Sequence, residues 1–490
     1  MKKYLPGIFL AISFLLTRLV NLKIIPIFTD EAIYTYWAQV ALHDPANRFI
    51  SLEDGKQPLF IWLVAIVQGF VSDPLTATRL VSIISGAGSL IGLYILTKMV
   101  INKRAAYIAC LVYIFLPFTL LYDRMGLYDS LLTTTVIFSV YFSIHLAKKP
   151  RFKTAILTGV SLGLGLITKS SALIYMLLLP MPFILLTSPK KYLKNVVRWG
   201  FFAAGAAFLS QVIYNGLRLS PLFYMINRKN LTFIRPFSDF VKEPFLFFIP
   251  NVRSITNWQI SYLGYPLFFF TVIALAYGLY KKNKNMVLLA SYIAVPFLVE
   301  AFFNNVLYPR FVLFYFPFAI IIIAYGLDKL KSRAKNVFLF AAAVTVLFAY
   351  PITNSYYLLT DPPKATIADS DKNQYIQEWP AGFGVKEIVE TLKTESAKSD
   401  VYVATEGTFG LLPYALKIYF YNQNNPQIIG YWPLNSDKLP EQIIETAKTK
   451  KTYVVFNENQ KEINNPKLEL ISKYQKGSGN TYMRLYKVHE

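Results

Sequence analysis

Asp30 and Glu31 follow Thr29 at the head of the stretch AIYTYWAQVAL, in a polar connection that separates two apolar runs. A carboxylate held at a low-dielectric surface can take a proton from a hydroxyl as general base. The competing reading is a helix start, with Thr29 as N-cap and two acids favoured by the helix dipole. The same connection carries His43, Asp44, Glu53, Asp54 and Lys56, and long polar connections are where scaffolds place function. Farther on, Asp123, Arg124 and Asp129 lie together in YDRMGLYDS. They read either as an interfacial ion pair with Asp129 capping the next helix, or as further site groups. Lys169, in GLGLITKSSALIYM, falls between two apolar runs. It is either a functional cation or a lysine snorkelling to the interface. Arg310 in YPRFVLFYFPF is placed in the same way. Lys56, Arg79, Arg124, Lys169 and Arg310 would together form a fixed positive cluster suited to phosphate, which arginine meets with paired donors.

The elements that must position these groups are membrane helices. Of the 490 residues, 54% are hydrophobic and 16% charged, against about 25% charged in a soluble domain, and mean hydropathy is +0.39. The formal charge of +22 would suggest nucleic acid in a soluble protein. Here the basic residues fall in short loops between apolar runs, as in membrane proteins, and nucleic acid is set aside. Cys110 is the single cysteine and lies in an apolar run, so no intramolecular disulfide forms and thiol chemistry has no support. Residues 5–20 lack a small-residue cleavage pattern and read as a retained first helix.

Apolar runs recur from residue 5 to residue 351. Residues 59–71 are too few for a crossing and read as a re-entrant or interfacial segment. With that segment on the outer surface, Lys2/Lys3, Lys98/Lys103/Arg104, Lys148/Lys149/Arg151/Lys153, Lys190/Lys191/Lys194/Arg198, Lys281/Lys282/Lys284 and Lys329/Lys331/Arg333/Lys335 all face the cytoplasm, as the positive-inside rule asks. The expectation is about eleven transmembrane helices with the N-terminus cytoplasmic. The loops 21–75 and 216–257 and everything after Pro351 then face outward. The loop 216–257, rich in aromatic and basic residues and broken by prolines, reads as a surface-lying amphipathic segment. Residues 352–490 have soluble composition. Strands over 401–405, 427–431, 452–457 and 482–488, with helices over 385–394, 409–421 and 440–448, predict a small α/β domain.

The order of Asp30–Glu31, GKQP at 55–58, RMGLYD at 124–129, GLITKS at 165–170 and YPRF at 308–311 resembles the bacterial GT-C membrane glycosyltransferases. Among these it is most similar to the lipid A aminoarabinose transferases and the protein O-mannosyltransferases. The resemblance covers roughly residues 1–330. Where those proteins commonly carry a KP or KPP unit, this chain has Gln57 between Lys56 and Pro58. The resemblance implies a GT-C fold, a sugar donor linked to a polyprenyl phosphate, and inverting transfer. By motif it implies Asp30 as the catalytic carboxylate, with Glu31 beside it and Asp129 as a second acid. Lys56, Arg79, Arg124, Lys169 and Arg310 become the donor-phosphate contacts.

The inventory suits that chemistry, because a lipid-linked sugar phosphate leaves as an anion and needs charge stabilisation more than protonation. A divalent ion, magnesium or manganese, on Asp30, Glu31 and Asp129 is compatible with the residue types. The expected protein is therefore a transferase of the cytoplasmic membrane. It would move a sugar from a polyprenyl-phosphate carrier to a lipid, glycan or protein hydroxyl outside the cell, with membrane lipids as its surroundings. The alternative is a transporter or lipid-linked-sugar flippase with the same charges along a path, although no internal repeat of the transporter kind is evident.

Overall fold

The computed structural model describes residues 5–187, 189–457 and 463–489. Lys2 and Lys3 of the predicted cytoplasmic clusters lie outside the described residues, as do the side chains of Lys190, Lys191 and Lys194. The membrane portion begins with α1 (Leu5–Leu19), α2 (Thr29–His43), α3 (Leu59–Gln68), α4 (Pro74–Val100), α5 (Lys103–Phe115), α6 (Pro117–Arg124), α7 (Tyr128–Lys148) and α8 (Phe152–Leu166). It continues with α9 (Leu173–Leu177), α10 (Met181–Leu186), α11 (Pro189–Asn215), α12 (Met225–Phe233), α13 (Phe237–Lys242), α14 (Phe248–Tyr280), α15 (Lys284–Phe303), α16 (Phe316–Arg333) and α17 (Val337–Thr360).

By length and composition, six helical stretches among the described residues can cross a bilayer: α4, α7, residues 195–219 including most of α11, α14, α15 and α17. The number rises to seven if α5 and α6, bent 63° from one another, act as one span. The bend follows from Pro117 at the first position of α6, after an extended Leu116, because proline cannot continue the helix hydrogen bonding. α1, α3, α8 and residues 170–186 are shorter apolar helices. The predicted interfacial segment is α3, whose 10 residues reach about 15 Å, half of a bilayer core. It stops at Gln68, before a turn that leads to Asp73, whose side chain caps α4 by accepting from the Thr76 N–H at 2.7 Å.

The outer loop expected over 216–257 forms α12 and α13 and the first turns of α14. Phe237, Val241, Phe245, Leu246 and Ile249 in it are exposed, an apolar surface of the kind that lies in a lipid interface. Arg235 fixes the loop by donating to the carbonyls of Phe302, Glu243 and Pro244.

α17 does not stop at Pro351 as expected but runs to Thr360 with that proline inside it. Residues after it stay with the membrane portion, since Ala365, Ile367, Ala368, Tyr375 and Ile376 pack in one core with α4 to α7 and α16. The chain then forms α18 (Asp369–Lys372), a π-helical turn over Asn373–Gln377, and α19 (Val385–Ser396). Beyond it, β1 (Val401–Glu406), α20 (Leu411–Lys417), β2 (Gln427–Tyr431), α21 (Glu441–Ala447), β3 (Lys451–Phe456), β4 (Leu468–Gln475) and β5 (Tyr482–Val488) complete the α/β unit.

The sheet order is β2-β1-β3-β5-β4. β1 runs parallel to β2 and β3, and β5 runs antiparallel to β3 and β4. One sheet face, with Val401, Val403 and Val455, packs on α19 and α20 and on Ile27, Ala32 and Leu75 from the connection between α1 and α4. The other face, with Ala404, Val454 and Phe456, covers Ile443 of α21. The α/β unit is thus seated on α2. A bridge between Phe28 and Ala381 and hydrogen bonds from Thr29 N–H to Pro380 O and from Gly382 N–H to Ile27 O secure it there.

Candidate active site

Asp30 is in the first turn of α2, and its carboxylate pairs with Arg310 at 3.0 Å. Tyr34 stands one helical turn later, so it shares a face with Asp30, and its hydroxyl accepts from Lys56 Nζ at 2.9 Å. Asp129, in the first turn of α7, accepts from Lys169 Nζ at 2.8 Å. Phe311 joins the two halves: the Lys169 ammonium is 4.2 Å and the Arg310 guanidinium 5.9 Å from its ring centre. Arg310 also lies over Phe28 and Tyr308 at 5.5 and 5.1 Å. Five sequence-predicted residues, Asp30, Lys56, Asp129, Lys169 and Arg310, therefore converge from the connection between α1 and α4, the head of α7, the break after α8 and the link before α16.

Local backbone explains how Lys56 reaches this place. Residues 50–54 form a short 3-10 turn closed by Gly55 in the left-handed region at φ +64°. A Cβ there would meet the Met225 carbonyl and lie 2.6 Å from Lys229 Cβ, so only glycine lets α12 come this close. Lys229 in turn pairs with Asp54 at 2.5 Å. Gln57 donates to Ser170 Oγ at 2.7 Å, and Asn230 of α12 donates to the same oxygen at 3.1 Å. The glutamine that departs from the KP pattern thus ties the Lys56 turn to the residue after Lys169.

Glu31, Arg79 and Arg124 are not part of this convergence, although the motifs suggested site roles for all three. Glu31 and Arg79 are fully buried. Arg79 Nε and Nη2 donate to the two Glu31 oxygens at 2.9 and 2.8 Å, and its remaining donor capacity goes to the carbonyls of Leu22, Ile25 and Pro26. Glu31 also accepts from the N–H groups of Phe28 and Gly126 at 3.0 and 2.6 Å. At Gly126 a Cβ would lie 2.5 Å from Thr78 Cγ2, so the close approach of the α6–α7 turn also requires glycine. Arg124 donates to the carbonyls of Thr17, Arg18, Val20 and Asn21, which closes the C-terminal end of α1, where carbonyls lack helical partners. All three side chains are framework. A divalent ion on Asp30, Glu31 and Asp129 does not fit either. Glu31 has both oxygens taken by Arg79, the other two carboxylates face cations, and among the described residues no three His, Cys, Asp or Glu side chains gather to hold a metal.

The electrostatics favour an anion. Burial pushes the Asp30 carboxyl up, but the charges of Lys56, Arg310 and Lys229 and the Tyr34 hydroxyl outweigh it and hold the group below the usual carboxylate range. Burial holds the Lys169 ammonium below its ordinary value in spite of Asp129, and the like charges of Arg310 and Lys56 push the same way. Three cations that repel one another and two carboxylates that hold them apart make a site where a bound phosphate would find paired donors.

Sequence reasoning missed Tyr34, whose spacing from Asp30 was the available signal, and Asp371, which gave none. Asp371 sits in α18, in the polar stretch first read as the start of a separate domain. Its Oδ2 accepts from Tyr122 of α6 at 2.6 Å and from Tyr262 of α14.

Residues 55–214 match the family model of dolichyl-phosphate-mannose-protein mannosyltransferases. No curated protein matches the sequence significantly. Two kinds of solved structure are similar along nearly the whole chain. The archaeal oligosaccharyltransferase AglB from Archaeoglobus fulgidus, in complex with an inhibitory peptide and a dolichol-phosphate, has a TM-score of 0.54 and 14% identity, covering 93% of this chain and 69% of that one. ArnT from Cupriavidus metallidurans in the apo state has a TM-score of 0.55 and 12% identity, covering 99% of this chain and 97% of that one. The same ArnT bound to undecaprenyl phosphate gives the same values. At these identities the likeness is one of fold: along nearly its whole length the chain shares the fold of AglB and ArnT.

Proposed function

We propose that this protein is an inverting glycosyltransferase of the cytoplasmic membrane, taking a hexose or pentose from a polyprenyl-phosphate carrier and placing it on an extracytoplasmic hydroxyl of a lipid, glycan or protein. The observation that carries the reading is the convergence of Lys56, Lys169 and Arg310 on the two carboxylates Asp30 and Asp129. Lys56, Lys169 and Arg310 hold the donor phosphate; Arg79 and Arg124, whose donors are occupied elsewhere, do not. In the reaction the acceptor oxygen bonds to the anomeric carbon as the bond from that carbon to the phosphate oxygen breaks. The electron pair leaves on the carrier phosphate, where the three cations stabilise it. The acceptor proton passes to Asp30. Arg310 is shared: a phosphate that draws the guanidinium toward itself releases Asp30 to act as base.

The topology that suits this reading has eleven crossings with the N-terminus cytoplasmic. Besides the seven candidates by length, α1, α8, residues 170–186 and α16 would then cross, α3 would lie at the outer surface, and the α/β unit would stand outside. A flippase would need the same cations along a path through the bilayer.

The test is reconstituted protein given a panel of polyprenyl-phosphate sugars and a crude membrane acceptor fraction. Release of free carrier phosphate with labelled acceptor supports transfer, whereas movement of intact donor across the bilayer indicates a flippase. Asp30→Asn is expected to slow transfer by about 100-fold or more while undecaprenyl phosphate still binds. Lys169→Ala and Arg310→Ala are expected to weaken that binding, and unchanged affinity in both counts against the cationic pocket.

A further inference from the structure

The segment that leads from α17 to the α/β unit carries polar groups that nothing so far accounts for. Of the twelve buried side-chain nitrogen and oxygen atoms without a hydrogen-bond partner among the described residues, four belong to Ser370, Asp371, Gln374 and Tyr375. A buried polar atom left unpaired is costly, so a concentration of them marks a place that a ligand completes. The π-helical turn at Asn373–Gln377 belongs to a class of distortion frequent at functional sites.

Asp371 Oδ1 and, outside this segment, Arg310 Nη1 are two of the unpartnered atoms. Asp371 is fully buried. Two tyrosines from two different helices fix its Oδ2, and its Oδ1 has no partner. Arg310 uses Nη2 on Asp30, while its Nη1 is buried and equally without a partner. Asp371 and Arg310 are close enough for each charge to act on the other. Tyr375 lies near both, with its ring 4.8 Å from the Phe28 ring over which Arg310 lies and 6.2 Å from the ring of Tyr122, which holds Asp371. The two unpartnered atoms are one acceptor and one donor in the same buried region. A phosphate oxygen satisfies only the donor and a cation only the acceptor, but a hydroxyl satisfies both, donating to Oδ1 and accepting from Nη1. Burial pushes the Asp371 carboxyl up to about 7, so above that pH Oδ1 carries no proton and is free to accept.

We propose that Asp371, held by Tyr122 and Tyr262 and paired with Arg310 Nη1, binds a hydroxyl of the sugar being transferred, and so selects the sugar independently of the carrier. This rests on the carrier-phosphate reading above, because Arg310 is what brings the sugar next to Asp371. In Asp371→Asn the tyrosines retain the amide oxygen, which turns the NH₂ toward the ligand. A hydrogen-bond acceptor becomes a donor with little change in shape.

The experiment measures equilibrium binding of undecaprenyl phosphate, and of undecaprenyl phosphate bearing mannose, glucose, galactose or 4-amino-4-deoxyarabinose, to the full-length protein in nanodiscs. The expected result is that at least one sugar lipid binds the unsubstituted protein more tightly than bare carrier. Asp371→Asn should lower that affinity by about tenfold, the scale of one hydrogen bond to a charged group, and leave bare carrier within twofold. Tyr262→Phe, which keeps the carboxylate but removes one of its two holders, should reduce the same discrimination less. Equal loss for sugar lipid and bare carrier in Asp371→Asn, no loss for either, or no discrimination by the unsubstituted protein overturns the assignment. Failure of the unsubstituted protein to bind even bare undecaprenyl phosphate overturns the carrier reading with it.

Discussion

Arg310 serves Asp30 with one nitrogen and leaves another unpaired, and the pairing bears on how the proposed base responds to acid. The neighbouring cations hold the Asp30 carboxyl below its ordinary value of 3.8. A depressed pKa in the folded state means that the stability from these pairs is complete above the unfolded value and is lost as pH falls through the folded one. The base therefore stays ionised throughout mildly acidic conditions, and kcat/KM should be level from about pH 7 to about pH 5 as far as Asp30 governs it. The profile belongs in the Asp371→Asn background, so that the acid near 7 does not titrate, and an acid limb centred near pH 6 in that variant removes Asp30 as the base. Arg79 makes the opposite case. With its ion pair fully buried, Arg79→Ala leaves Glu31 charged and uncompensated, a loss of about 3–5 kcal/mol. Thermal unfolding should move down accordingly, while the folded fraction keeps its affinity for undecaprenyl phosphate; a stable variant with weakened phosphate binding would return Arg79 to the site.

The elements differ in how plainly the sequence announced them. α3 was legible from its length alone, and β1, β2, β3 and β5 from their apolar runs. β4 was not, since LELISKYQ at the sheet edge buries little besides Leu468, and an edge strand with polar sides carries almost no periodic signal. α17 runs past Pro351, where the composition turns soluble, to Thr360, because helices in a membrane accommodate proline when neighbours satisfy the freed groups. Motif order named Asp30, Lys56, Asp129, Lys169 and Arg310, which converge in the fold, but it did not separate them from Arg79 and Arg124, which do not. Those two are distinguished only by the carbonyls they meet in three dimensions. The turn at Gly55 gives a test at this scale. Gly55→Ala forces a side chain into α12 at a left-handed position, so Lys56 and Lys229 should both shift. Carrier-phosphate affinity is expected to drop by about tenfold or more, as for a misplaced binding group, and full affinity would mean that the turn does not aim Lys56.

At the scale of the whole molecule, the proposed reaction requires that the α/β unit and the charged cluster share one side of the membrane while the basic loops occupy the other. With Cys110 replaced by serine, Thr394→Cys on α19 should react with an impermeant thiol reagent on intact cells, and Lys149→Cys, after α7, only once they are permeabilised. Equal reactivity from one side would undo the topology. The seating of that unit has a temporal consequence. Phe28 pairs with Ala381 and Thr29 with Pro380, so the turn that carries Asp30 is completed by chain synthesised some 350 residues later. Since domains emerge and fold from the N-terminus onward, the proposed base is unassembled while the rest of the chain is still being made. Under the reaction proposed above, the site would be complete only after the final helix has been inserted and the tail has closed over the first loop.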